Sequence, residues 1–271
     1  MSDMLAAGAC TLGILPAPVR SRVFGVEFTP LSPAQALAAL AGREPAAPFA
    51  FMVTPNAQHV VQVNRDPARW GPVYHEAAWL CLCDSQIVHR LAALGGTPLP
   101  LCTGSDLTAA LFEHGLRPDD SLTIIGCEPE VVARLRARWP ALRICHHNPP
   151  MGFEHDEAAM LACIHFVERH SARYVFIAVG SPRSELLAAR IAARGLASGV
   201  GLCIGSSLHF LTGARQRAPI WVRRSGLEWL HRLVLEPRRM WRRVFLESLP
   251  LFRYALPEIT ARRLGLAGGA R

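Results

Sequence analysis

Short apolar runs alternate with helical stretches along most of this chain, and that alternation limits the fold more than any other feature. The strand candidates are Arg22–Phe28, Phe49–Thr54, Trp79–Cys83, Leu122–Gly126, Tyr174–Val179 and Gly201–Gly205. Strands alternating with amphipathic helices build an α/β domain around a mainly parallel sheet. Several of the runs are continuously apolar, as strands must be when helices cover both faces. A Rossmann-like α/β fold, with helices on both faces of the sheet, is therefore expected. Helix starts are legible at Ser32 before Pro33, at Ser105-Asp106 before a Leu/Ala run, and at Asp156 before Glu157–Arg169. No internal repeat or low-complexity segment interrupts the pattern.

The chain divides by character into three parts. Residues 1–20 read as a loose tail, 21–213 as the α/β core, and 214–271 as a helical appendage rich in Arg and Trp. At 271 residues the whole can bury a substantial core. The formal charge of +8 comes from arginine, since the sequence has no lysine. Its placement therefore says more than its size. Cys10, Cys81, Cys83, Cys102, Cys127, Cys145, Cys163 and Cys203 form no CxxC pair or other zinc-type spacing, so buried free thiols in a reducing cytoplasm are expected. The start carries Asp3 rather than a basic stretch, which argues against a signal peptide. No apolar run approaches the ~18 residues of a membrane span, so the expectation is a soluble protein or one peripheral to a membrane.

Charge concentrates near the C-terminus. Nine arginines fall between positions 215 and 243, against Glu228 and Glu236, with Trp221, Trp229 and Trp241 among them. Fixed guanidinium charges pair bidentately with phosphate oxygens, so such a segment suits phosphate groups or an anionic membrane face. Met240, Trp241, Val244 and Phe245 fall on one helical face and Arg239, Arg242 and Arg243 on another, ending or bending at Pro250. That is the make-up of an interfacial anchor, and equally of a packing helix with solvated arginines. Nucleic acid is not the expected partner, because Trp, Leu and Pro interrupt the basic face. No GxGxxG follows an early strand, which argues against a nicotinamide dinucleotide enzyme.

Residues at strand ends carry the candidate chemistry, because ligands of open α/β sheets sit there. Thr54-Pro55-Asn56 closes one apolar run; its side chains fit a helix cap or hydrogen bonds to a sugar or phosphate. Asp84 closes another, as a cap or as a general base. Asp106 suits the first turn of its helix better than catalysis. A lone His209 reads more simply as a structural residue than as a catalyst.

The order and spelling of these elements carry a resemblance. Arg217-Ala218-Pro219-Ile220-Trp221, Gly226-Leu227-Glu228-Trp229 through Arg232, and Glu236-Pro237-Arg238-Arg239 resemble the RAP-x-W, GLEW-x-x-R and EP-x-R signature of the WecG/TagA/CpsF glycosyltransferase family. Thr103-Gly104-Ser105-Asp106-Leu107 resembles its TG-x-DL element, and Gly126, Trp139-Pro140 and Gly152-Phe153 its later steps. Gly180-Ser181-Pro182-Arg183-Ser184-Glu185 resembles its GxPxQE loop, and Ile204-Gly205 through Gly213 its VG-x-x-FD-x-x-x-G element. The likeness runs from about Phe49 to Arg243. Four positions depart from the family pattern: Ser85 for glycine, Leu101 for arginine, Ser184 for glutamine and His209 for aspartate.

The resemblance implies an inverting, metal-independent transferase that needs no cofactor. Its expected partners are a UDP-sugar donor (UDP-ManNAc, UDP-ManNAcA or UDP-glucose type), a polyprenyl-diphosphate-linked acceptor and the inner face of the cytoplasmic membrane. A homo-oligomer stays open. Asp84 would be the base. Thr54, Asn56, Ser85, Thr103, Gly104, Gly180, Pro182, Ser184, Glu185 and His209 would line the donor and acceptor site. Arg217 and Arg224 would meet the diphosphate. The four departures keep a non-catalytic scaffold for polysaccharide assembly as the alternative.

Overall fold

A computed structural model describes residues 19–265, with Ile220, Arg223, Arg224, Arg232 and Arg239 described in backbone only. The first expected strand is in fact a hairpin. β1 (Ser21–Val23) and β2 (Val26–Phe28) pair antiparallel, outside the main sheet. Phe24 and Gly25, at φ 50° and 79°, reverse the chain between them, as a two-residue hairpin turn requires. Asn64 Nδ2 donates to Phe24 O at 2.8 Å and holds the turn so closely that a Cβ at Gly25 would collide with it.

The main sheet contains β3 (Ala50–Val53), β4 (Leu80–Cys81), β5 (Ser121–Gly126), β6 (Arg143–His147), β7 (Tyr174–Ala178) and β8 (Val200–Cys203). Their spatial order is β4-β3-β8-β7-β5-β6, every pair parallel. The sequence pattern does not predict β6. It is the outer edge strand, its residues half-buried or exposed, and Arg-Ile-Cys-His-His carries no apolar run. Successive residues along the inner strands feed two cores. Phe51, Val53, Val175 and Ile177 face one; Met52, Leu122, Ile124, Phe176 and Leu202 face the other. The expected α/β architecture, with helices on both faces, is what forms.

The helices begin where local chemistry caps them. α1 (Pro33–Gly42) starts from Ser32 in a reciprocal box with Gln35, and α7 (Glu157–Arg169) from Asp156, which accepts from Ala158 N at 2.9 Å. α5 (Gly104–Ala110) starts earlier than Ser105-Asp106, because Thr103 Oγ1 accepts from Asp106 N at 3.1 Å. α2 (Ala57–Arg65) is capped by Asn56, and α4 (Gln86–Leu94) by Ser85. The remaining core helices are α3 (Pro67–Gly71), α6 (Pro129–Arg138), α8 (Arg183–Arg194) and α9 (Ser207–Leu211).

Beyond residue 219 come α10 (Ile220–Ser225), α11 (Glu228–Leu235), α12 (Pro237–Arg242, continued by a wider turn to Ser248) and α13 (Leu251–Arg263). Leu251, Ala255 and Ile259 of α13 are buried in the first core, against α2 and α4. Glu258 Oε2 accepts from Phe24 N at 2.8 Å, so the last helix also seals the hairpin. Among the described residues no helix is long and apolar enough to cross a membrane.

Cys10 lies outside the described residues. Of the others, Cys81, Cys83, Cys102, Cys127, Cys163 and Cys203 are buried free thiols and Cys145 is half-buried. Burial, with smaller contributions from neighbouring groups, pushes Cys83, Cys102 and Cys127 up to about 12 and Cys163 to about 11. A thiol whose folded value is raised supports folding fully below its unfolded value of roughly 8.5 and loses that support as pH rises. The denaturation midpoint is therefore expected to hold from pH 7 to about 8.5 and to fall steadily between 9 and 11. A midpoint that stays flat through pH 11 would contradict the burial of these thiols.

Candidate active site

The C-terminal ends of β3 and β4 bring Thr54, Asn56 and Asp84 together. Asp84 N donates to Pro55 O at 3.0 Å, so the two strand-end loops are tied by backbone. Gly104 N, at the start of α5, donates to Asp84 Oδ2 at 3.2 Å. Glycine eases that approach, since a Cβ at Gly104 would lie 3.1 Å from Thr54 Oγ1, tight enough to press on it, and 3.6 Å from Asp84 Oδ2. Thr54 Oγ1 donates to Cys203 O at 3.4 Å, which joins the end of β8 to the same point. The carboxylate is half-buried and held by Gly104 N, on a loop that backbone bonds tie to its neighbour.

Asp84 opens into a cavity of about 810 Å³. One wall is the α/β core: Asn56, Ser85, Gln86, Leu101, Thr103 and Ser105. The other is the C-terminal segment, through Arg217, Trp229, Val244, Phe245, Leu249 and Phe252. The core wall is mostly polar, and the C-terminal wall adds aliphatic and aromatic side chains beside Arg217, Glu228, Arg243 and Ser248. A neighbouring cavity of about 430 Å³ carries Ser206, Arg215, Gln216 and His231, and shares Met240 and Arg243 with the first.

Several expected ligands also do structural work. Asn56 Oδ1 accepts from Gln58 N at 3.0 Å as the cap of α2, which leaves its NH2 as the group to meet a ligand. Ser85 Oγ accepts from Val88 N at 3.3 Å as the cap of α4, yet still lines the cavity. Arg217 Nη2 donates to Asp106 Oδ2 at 3.1 Å and to Thr103 Oγ1 at 3.2 Å, with Nη1 on the other Asp106 oxygen. This bidentate pair pins the C-terminal segment to the start of α5. Arg224 belongs to α10, but its side chain lies outside the described residues.

The other expected positions lie elsewhere. Gly180 and Pro182 form the loop after β7 and do not line the Asp84 cavity. Ser184 is buried and donates to Ile177 O at 3.1 Å, so its hydroxyl serves its own turn. Glu185 is buried beside His59. The chain leaves β5 towards β6 at the sheet edge and later runs the opposite way from β7 to β8, so β5 and β7 flank a reversal of strand order. Ligands of open α/β sheets bind in the crevice outside such a point. Glu128, after β5, meets His209 there, Nε2 to Oε2 at 2.7 Å. Its own backbone N–H and then the His209 ring hold the Glu128 carboxyl below the usual carboxylate range. The cavity-lining Gln86 and Ile87 of α4, and Leu249 and Phe252 of the C-terminal segment, carry no motif that would single them out.

The profile of the Glycosyl transferase WecG/TagA/CpsF family matches residues 21–264. The chain belongs to this family. That match spans the α/β core and the C-terminal helices together, so both walls of the Asp84 cavity fall within the WecG/TagA/CpsF glycosyltransferase unit.

Proposed function

We propose that this glycosyltransferase moves a sugar from a UDP-sugar to a polyprenyl-diphosphate-linked sugar, with inversion, in the synthesis of a cell envelope polymer. The observation that carries this is the two-sided cavity: a half-buried carboxylate on the wall from the α/β core, and Val244, Phe245, Leu249 and Phe252 on the wall from the C-terminal segment. The carboxylate suits a sugar hydroxyl, and the apolar side chains of the facing wall suit the first units of a lipid chain.

In the reaction, an acceptor hydroxyl oxygen attacks the anomeric carbon as its proton passes to the Asp84 carboxylate. The bond from that carbon to the donor phosphate breaks, and the electron pair leaves with the diphosphate. Arg243, which lines both cavities, and Arg215, in the adjoining one, would supply fixed positive charge to stabilise the departing group. The nucleoside would then extend toward the crevice at Gly126 and Gly180. Arg217 is engaged with Asp106 and serves to close the segment over the site. Trp221 and Trp241 are exposed on this segment, which supports a location at the inner face of the cytoplasmic membrane.

The test is transfer of radiolabel from a panel of UDP-sugars to a polyprenyl-diphosphate glycan presented in vesicles. Transfer from at least one donor, with inverted anomeric configuration in the product, is the expected result. Retention of configuration would overturn the single-displacement scheme.

A further inference from the structure

Behind the loop that carries Asn56 lies a set of polar side chains that the transfer chemistry does not use. His59 and Glu185 are 5% and 4% exposed, and Tyr74 is fully enclosed with its ring edge toward His59. His59 Nε2 stands 3.5 Å from Glu185 Oε1. On the opposite side of the ring, Nδ1 lies 3.1 Å from the backbone N of Asn56 and 2.9 Å from its Oδ1. The imidazole therefore spans the gap between α8 and the loop after β3. Among the described residues, Glu185 Oε2 is buried without a hydrogen-bond partner, while the Tyr74 and Ser181 hydroxyls face each other.

Such an arrangement is costly for a core. A buried carboxylate with one oxygen unpartnered loses hydration that the protein does not replace, and apolar residues of similar volume would serve stability as well or better. Burial, with the Glu185 carboxylate adding to it, holds the Tyr74 phenol well above its ordinary range, so this neighbour stays neutral and contributes no compensating charge. What the pair does supply is orientation. A carboxylate facing Nε2 favours the tautomer with its proton there, which leaves Nδ1 to accept from the backbone N–H of Asn56.

We propose that Glu185 and His59 are positioning residues that lock the loop at residues 54–56, and through it the catalytic base, in the geometry for transfer. The loop is one hydrogen bond from the base, through Pro55 O and Asp84 N at 3.0 Å. Thr54 from the same loop packs against Gly104, which donates to the carboxylate. At its other end the pair is anchored in the first turn of α8, directly after the Gly180–Pro182 loop at the sheet's reversal point. Glu185–His59 thus couples the crevice assigned to the nucleotide with the cavity assigned to the acceptor.

The inference rests on the transferase reading, and its test separates the two. Glu185→Leu, His59→Leu, the double variant and Glu185→Gln are compared with the unaltered full-length protein in the transfer assay, with melting temperature measured alongside. Turnover per folded molecule is expected to fall about 10–100-fold in either leucine variant, the scale of a small misplacement near reacting atoms, with KM for the donor within about twofold. The double variant should lose no more than the single ones, because both act through one contact. Glu185→Gln keeps an oxygen for Nε2–H and should recover most of the turnover. Full turnover in a folded Glu185→Leu, or additive losses in the double variant, would overturn the proposal. Should the leucine variants not fold, the ¹⁵N ring shifts of His59 in the unaltered protein decide. A proton on Nε2 supports the pair, and a bare Nε2 overturns it. Absence of transfer by the unaltered protein with every donor would sink the transferase reading, while the ring shifts would still report on the pair.

Discussion

Asp84→Asn is expected to reduce sugar transfer by a factor on the order of 10²–10⁴, the range over which a positioned general base acts. The substitution is close to isosteric, and an amide oxygen can still accept from Gly104 N, so the fold and the cavity should survive. What is lost is the capacity to take the acceptor proton as the anomeric carbon is attacked. Donor KM should change little, because the carboxylate is assigned to the acceptor side of the transition state, and the loss should fall on kcat. Initial rates of radiolabel transfer, with melting curves to confirm folding, measure this directly. A variant that keeps more than about a tenth of the wild-type rate would remove Asp84 from the role of base. Transfer by neither protein, with vesicle binding intact, would favour the scaffold alternative.

The sheet was legible wherever both faces of a strand are buried, because Phe49–Thr54 or Tyr174–Val179 can be apolar throughout only under two layers of helix. The same logic hides β6, whose exposed edge position lets it be Arg-Ile-Cys-His-His. It also merges β1 and β2 into one run, since only the backbone at Phe24-Gly25 shows that the chain reverses. At the candidate site, strand-end residues such as Asn56 and Asp84 were legible because α/β topology places strand ends together. Ser184 and Glu185 share a motif with Gly180 and Pro182, yet the helix turns them into the core. Motif spelling does not reveal that inward turn. That Phe252 lines the same cavity as Asp84 was out of reach for a different reason: it depends on how α13 packs against α4, a contact between segments far apart in sequence.

Exchanging Trp221 and Trp241 together for serine is expected to lower binding to anionic lipid vesicles by about 10²-fold. Trp221 is 70% exposed and Trp241 56%, with Val234 and Leu235 of α11 and Leu246 after α12 also exposed. At roughly 200 Å² per tryptophan side chain, each has about 120 Å² to remove from water. At ~25 cal/mol per Å² that is about 3 kcal/mol per ring on full burial, and roughly half of that in a partly hydrated interface. Two rings then contribute about 3 kcal/mol, which is the stated factor in affinity. Charge adds separately: Arg238 and Arg242 are exposed on α12, and each basic side chain near an anionic surface is worth about 1 kcal/mol. Salt should therefore weaken the unaltered protein and the serine variant by the same factor, because it screens the arginines and leaves the apolar term alone. Vesicle co-sedimentation at two salt concentrations separates the contributions. If the double variant partitions like the unaltered protein, these rings do not meet lipid, and the acceptor must reach the Asp84 cavity from another face. If binding is lost but transfer to a short, water-soluble acceptor persists, the C-terminal segment acts in delivery of the lipid-linked substrate, and the chemistry at Asp84 proceeds without the membrane.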